Sequence, residues 1–156
     1  HADWVRPGLM LYGVSPLHDE TAAALDLQPV MTLRSRLIAV RHVRAGERIG
    51  YGGTYICPED MPVGVVAYGY GDGYPRQGGT GTPILVNGER TQVIGASSMD
   101  MMSVDLRPVP NSQFGDPVTL WGRELPVEEV AVASGTIPYE LLCRTRMRAH
   151  YELGGL

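Results

Sequence analysis

Hydrophobic and polar positions alternate in short runs along most of this chain, and the runs are cut by glycine, proline and asparagine. Between Val30 and Val43, the apolar Met31, Leu33, Leu37, Ala39 and Val43 fall among Arg34, Ser35, Arg36, Arg41 and His42. That is the period-two signature of a half-buried strand. Ala45-Gly-Glu47 is a turn, Gly50 to Ile56 a strand interrupted by glycines, and Gly64 to Tyr70 an apolar strand running into a Gly-Asp-Gly turn. Pro83-Ile-Leu-Val86, Asn87-Gly88 and Thr91-Gln-Val-Ile94 form the plainest hairpin, because Asn-Gly supplies the two left-handed positions that a tight turn requires. Met99 to Leu106 and Asp116 to Trp121 read as further strands. The period then lengthens: Pro126 to Ser134, with proline and acidic residues at its start, reads as a helix, Ile137 to Cys143 as a second, and Thr145 to Tyr151 as a last strand.

At the front, Leu9-Met-Leu-Tyr12 reads as a short apolar strand entered through Arg-Pro-Gly, and residues 14–29 as a loop with one or two helical turns between Thr21 and Leu27. Many short strands followed by two helices predict a mainly β fold, a closed barrel or sandwich with two short C-terminal helices. No internal repeat or low-complexity segment is present.

Composition narrows the function classes. With 156 residues, 44% hydrophobic and 19% charged, the chain is that of an ordinary globular domain with a sizeable core. The net charge of −4 and the absence of a basic stripe give nucleic acid no electrostatic footprint. Arg144, Arg146 and Arg148 alternate and read as one solvated face. Cys57 and Cys143 have no metal-ligand spacing and read as free thiols. His18, His42 and His150 are scattered, so no metal is expected. No signal peptide or bilayer-length apolar run is found, which makes the cytoplasm the expected compartment. Gly69-Tyr-Gly-Asp-Gly73 is similar to a dinucleotide loop but lacks the full glycine spacing and a following helix.

Two glycine-flanked tyrosines, in Gly50-Tyr-Gly-Gly-Thr-Tyr55 and Gly69-Tyr-Gly-Asp-Gly-Tyr-Pro-Arg76, are the candidates for chemistry. Glycine on both sides lets another group approach, and a tyrosine displayed there can hold or move a proton or gate a pocket. On pattern alone, a barrel-rim tyrosine packed by glycines is the simpler account. Together with Asp3-Trp-Val-Arg-Pro-Gly-Leu-Met-Leu-Tyr-Gly13, Met99-Asp-Met101 and the helix Tyr139-Glu-Leu-Leu142, the order and spacing of these segments resemble the C-terminal part of alanine racemase. The resemblance runs from about Trp4 to Arg148.

That resemblance implies a Greek-key-like closed β-barrel over residues 14–156, with residues 1–13 the end segment of an N-terminal (β/α) barrel that this chain lacks. It implies pyridoxal 5'-phosphate (PLP) as cofactor, L- and D-alanine as substrates, and a homodimer whose site is shared between subunits. Tyr51 would be one of two bases, the other being a PLP-bearing lysine outside this chain. All 13 basic residues here are arginine, so the chain alone is expected to be inactive. Arg6 would face the pyridine nitrogen of PLP, and the backbone N–H groups of Gly8 and Leu9 its phosphate. Met99 would hold the substrate carboxylate through its amide, and Tyr70 would line the access corridor of the partner's site. Asp72 and Asp100 read as structural. Ala96 replaces an arginine that many relatives carry, leaving a broader substrate range open, and Met147 falls where some relatives have a tyrosine near the phosphate. The rival account is a non-catalytic β-barrel interaction module on the same scaffold.

Overall fold

The computed structural model describes residues 3–17, 19–145 and 148–154. Six strands close into an antiparallel barrel: β1 (Leu33–Val43), β4 (Met61–Val66), β7 (Met102–Asp105), β6 (Glu89–Ile94), β5 (Pro83–Val86) and β8 (Pro117–Trp121), in that order and back to β1. The long β1 makes closure possible. Its first residues pair with β8, from Leu33 with Trp121 to Arg36 with Pro117, and the rest pair with β4, from Leu37 with Val66 to Val43 with Met61. The pairing shifts register between Leu33 and Arg34 and again between Leu37 and Ala39. Such irregularities bend a strand, which lets β1 turn from one flank to the other. A separate two-stranded ribbon, β2 (Arg48–Ile49) and β3 (Tyr55–Ile56), and the helices α1 (Val127–Ala133) and α2 (Pro138–Arg144) complete the domain.

The expected mainly β barrel with two late helices is therefore what forms. The Asn-Gly hairpin is β5–β6, with Asn87 at φ 53° and Gly88 at φ 81°. Five local expectations need correction. Leu9–Tyr12 is part of a 3-10 turn, Gly8–Tyr12, because Pro7 sits in the helical region and its carbonyl accepts from the Met10 amide; only Leu9 of the run is buried. Gly50–Ile56 is not one strand: Gly52 and Gly53 adopt positive φ and fold Tyr51–Gly53 into a 3-10 turn at the tip of the β2–β3 ribbon. The strand expected from Gly64 starts three residues earlier and stops at Val66, and that expected from Met99 starts only at Met102, since Ser98 and Met101 close a turn through backbone and hydroxyl. Thr145 and residues 148–151 form no strand; Met147, and with it the comparison with a phosphate-reaching tyrosine, lies outside the described residues, as do Arg146 and His18.

The barrel interior holds Leu37, Val66, Ile84, Val93, Val104 and Leu120, all inaccessible to water, and continues beneath the helices through Leu125, Val130 and Leu141. Tyr74 stacks on Trp121 at 6.5 Å and takes Tyr68 edge-on at 6.4 Å. A second, smaller core of Ile49, Cys57, Met61, Val63 and Ile94 fixes the β2–β3 ribbon to the barrel wall. At this junction the buried Asp105 carboxylate takes a fork of hydrogen bonds from Arg107, which also reaches Glu59 at 2.6 Å. Burial pushes the Asp105 carboxyl up, but the hydrogen bonds and charge of Arg107 outweigh it and hold the group below the ordinary carboxylate range. A carboxyl whose value falls on folding contributes stability that is full above its unfolded value and is lost as pH falls through the folded one. Acid unfolding should thus steepen below about pH 4, and Asp105→Asn should flatten that limb of the stability–pH curve while lowering stability at neutral pH.

Candidate active site

The loop 95–101, between β6 and β7, is the frame on which the tyrosine motifs meet. The Tyr51 amide donates to the Ala96 carbonyl at 3.1 Å, the Tyr70 amide to the Ser98 carbonyl at 3.2 Å, and the Gly71 amide to the Met99 carbonyl at 2.8 Å. Three segments far apart in sequence thus present Tyr51, Tyr70 and Met99 together, all three exposed, Tyr51 at 73%. Close approach of Gly50 and Gly95 makes the first contact possible. A Cβ on Gly50 would lie 2.6 Å from the Ala96 nitrogen, and one on Gly95 2.7 Å from the Ile49 carbonyl oxygen. The Met99 amide itself donates to nothing among the described residues.

Around this frame the side chains are committed. Asp72 Oδ2 accepts from the Gly69 amide at 2.9 Å and shapes the turn, as its setting between glycines suggested. The Arg76 guanidinium lies 5.7 Å from the centre of the Tyr70 ring, within the range of a cation–π contact. Tyr68 donates to the Asp72 carbonyl at 2.8 Å, and burial, with Asp72 and Tyr151 nearby, pushes its hydroxyl up to about 12. Burial likewise raises Tyr74. These two phenols stay protonated and cannot serve as bases.

Arg6, Gly8 and Leu9 lie elsewhere. Arg6 is exposed, Leu9 anchors the segment in the core, and the nearest group to a Cβ on Gly8 would be the Tyr139 hydroxyl at 4.0 Å. The Gly8 and Leu9 amides have no acceptor among the described residues. This segment meets α2 at its first turn, whereas the Tyr70 turn meets it at the last, where Gly73 abuts the Arg144 carbonyl. The two groups of candidates therefore stand at opposite ends of one helix and do not share a pocket within this chain.

Reading the sequence missed two arginines. Arg76 closes the Gly-Asp-Gly-Tyr-Pro-Arg motif and could have been suspected from that place. Arg148, read as part of a solvated face, instead pairs with Asp100 at 2.9 Å and Asp72 at 3.4 Å. No local pattern signals a pairing at that sequence separation. Arg144 pairs with Glu140 along α2 at 2.8 Å. Cys57 is buried and Cys143 exposed, both unpaired. No cluster of metal-ligating side chains occurs among the described residues, and no described helix is long and apolar enough to cross a membrane.

The domain is thus a closed antiparallel barrel that gathers loop-borne tyrosines on one flank, with the unpaired Gly8 and Leu9 amides at the far end of α2. The family described as alanine racemase, C-terminal domain, matches residues 30–153, and this chain belongs to it. It is 60% identical over 148 residues to an alanine racemase of Nitrosococcus oceani, covering 95% of this chain and 42% of that protein. With an alanine racemase of Piscirickettsia salmonis it shares 56% identity over 149 residues, 96% of this chain and 90% of the relative. The crystal structure of the biosynthetic alanine racemase from Pseudomonas aeruginosa superposes with a TM-score of 0.92 at 51% identity, over 95% of this chain and 41% of that one. The chain thus spans about two fifths of the length of the first and third of these proteins.

Proposed function

We propose that this chain is the C-terminal part of a PLP-dependent alanine racemase, an isomerase that interconverts L- and D-alanine in the cytoplasm and supplies D-alanine for peptidoglycan. The observation that carries this reading is the convergence of Tyr51, Tyr70 and the unpaired Met99 amide on one loop. Racemisation takes the α-proton from one face and returns one to the other, so two groups on opposite sides of the substrate are needed. The Tyr51 hydroxyl serves one face. The other falls to a lysine outside this chain, which itself has none. The Met99 N–H receives the substrate carboxylate, and the Tyr70 ring, held under Arg76, narrows the way in.

The residues present fit PLP. Two unpaired amides at Gly8 and Leu9 suit a phosphate, and the exposed Arg6, which does not give up its proton, suits an acceptor ring nitrogen. Once bound, PLP supplies the electron sink that makes the α-proton removable. Because the two groups of residues meet opposite ends of α2, we assign them to two different sites of a homodimer. Arg6, Gly8 and Leu9 serve the cofactor of their own subunit, and Tyr51, Tyr70 and Met99 reach the partner's substrate. Residues 1–13 belong to the end of a (β/α) barrel, and 14–156 form the β-barrel domain.

The test is racemisation of L- and of D-alanine by the complete parent protein loaded with PLP. Activity in both directions supports the reading. Inactivity on alanine and on other amino acids would leave the fold as an interaction module. A broader racemase is the second reading, favoured by Ala96, whose carbonyl accepts from the Tyr51 amide and which stands where the resemblance to the family implies an arginine. Comparable kcat/KM on serine or lysine would select it.

A further inference from the structure

We propose that Arg148 is a positioning residue that ties the turn bearing Tyr70 to the turn bearing Met99 and so sets the width of the substrate side of the site. Its guanidinium Nη1 lies 2.9 Å from Asp100 Oδ1, next to Met99, and 3.4 Å from Asp72 Oδ1, in the Tyr70 turn. Asp72 uses its other oxygen to hold the Gly69 amide, so one carboxylate both shapes its own turn and links it outward. The same nitrogen would stand 2.9 Å from a Cβ on Gly71, whose amide donates to Met99. Backbone hydrogen bonds at Tyr70 and Gly71 join the two turns from one side, and Arg148 closes the join through side chains from the segment after α2.

A bridge this exposed does little for global stability, since solvent-exposed pairs contribute about 0–1 kcal/mol. Its effect is local. Both turns are short, and without the bridge the hydrogen bonds left between them among the described residues are the two backbone ones at Tyr70 and Gly71. Small displacements at a reacting centre cost rate or affinity out of proportion to their size. The kinetic part of this inference rests on the proposed racemase function; the structural part rests on geometry alone.

The experiment uses the complete parent protein with PLP and the variants Arg148→Ala, Arg148→Lys and Asp100→Asn. In Arg148→Ala the Tyr70 and Gly71 amides should exchange hydrogen about tenfold faster while those of β4 and β7 are unchanged, because only the local opening equilibrium shifts. The KM for alanine should rise about tenfold with kcat within about threefold, the pattern of lost binding rather than lost chemistry. Arg148→Lys should recover part of the KM, and Arg148→Ala with Asp100→Asn should be far from additive, as for groups in one network. Exchange and KM both within about twofold of wild type would overturn the proposal, because the local opening equilibrium would then be unshifted. Faster exchange spread over the whole barrel would overturn it too. If Arg148→Ala does not fold, Asp100→Asn, which keeps the Asp72 pair, decides by the same readouts. Faster local exchange in a parent protein that does not racemise alanine supports the tie and overturns only the racemase reading.

Discussion

Tyr51→Phe in the complete parent protein is expected to lower alanine racemisation by about 10²–10⁴-fold, the usual contribution of a positioned acid or base. Phenylalanine keeps the ring, so the exposed tip of the β2–β3 ribbon and its hydrogen bond from the residue 51 amide to Ala96 are retained, and cofactor content should not change. The loss must be equal in the two directions. L- and D-alanine have the same free energy, so the ratio of their kcat/KM values is fixed at one whatever the variant does. The diagnostic result is isotopic. In deuterated water the variant should still exchange the α-hydrogen of one enantiomer, the one whose proton faces the lysine, without inverting it. It should scarcely exchange the other. Loss of exchange from both enantiomers would mean that Tyr51 shapes the site instead of serving one face. Unchanged racemisation would remove it from the chemistry altogether.

The barrel was legible because its signals are local. The alternation from Val30 to Val43 and the Asn87-Gly88 turn are properties of a few consecutive residues, and both correspond to strands where expected. Errors arose where local and tertiary signals compete. Four apolar residues after Arg-Pro-Gly suit a strand as well as a turn, and only the packing of Leu9 under the helices decides for the turn. Met99-Asp-Met101 looked like the start of a strand, but the Ser98 hydroxyl takes the Met101 amide and delays it. In the site, the displayed tyrosines were visible as glycine-flanked aromatics. What gathers them was not. The loop 95–101 meets Tyr51 and Tyr70 through backbone groups, whose partners leave no mark on side-chain identity, and Arg148 meets its two aspartates across the fold. The separation of Arg6, Gly8 and Leu9 from the tyrosines likewise follows from how α2 packs, which no motif encodes.

Gly50→Ala should be strongly damaging at the site, and Gly46→Ala shows why. Both glycines have positive φ, Gly50 at 82° and Gly46 at 83°, so alanine is strained at each, and the ψ of 172° at Gly50 adds to it because that combination is essentially glycine's alone. A positive φ alone costs alanine about 1–2 kcal/mol. Around Gly46 nothing lies within 4 Å of the added methyl, whereas at Gly50 it would press on the Ala96 nitrogen at 2.6 Å and on the Gly95 Cα at 2.8 Å. Backbone atoms cannot swing aside, and forced overpacking adds about 1–3 kcal/mol. Thermal unfolding of the chain should therefore fall by about 2–8 °C for Gly46→Ala and by about 5–15 °C for Gly50→Ala. The difference between them combines the contact between the ribbon and the loop 95–101 with the added backbone strain at Gly50. The same displacement carries Tyr51 away from Met99, so in the complete protein Gly50→Ala should also lose racemisation by more than its stability loss explains, while Gly46→Ala should keep it. Equal effects of the two variants on both readouts would mean that the close approach of Gly50 and Gly95 does not position Tyr51, and that the tyrosine is held by its hydrogen bond to Ala96 alone.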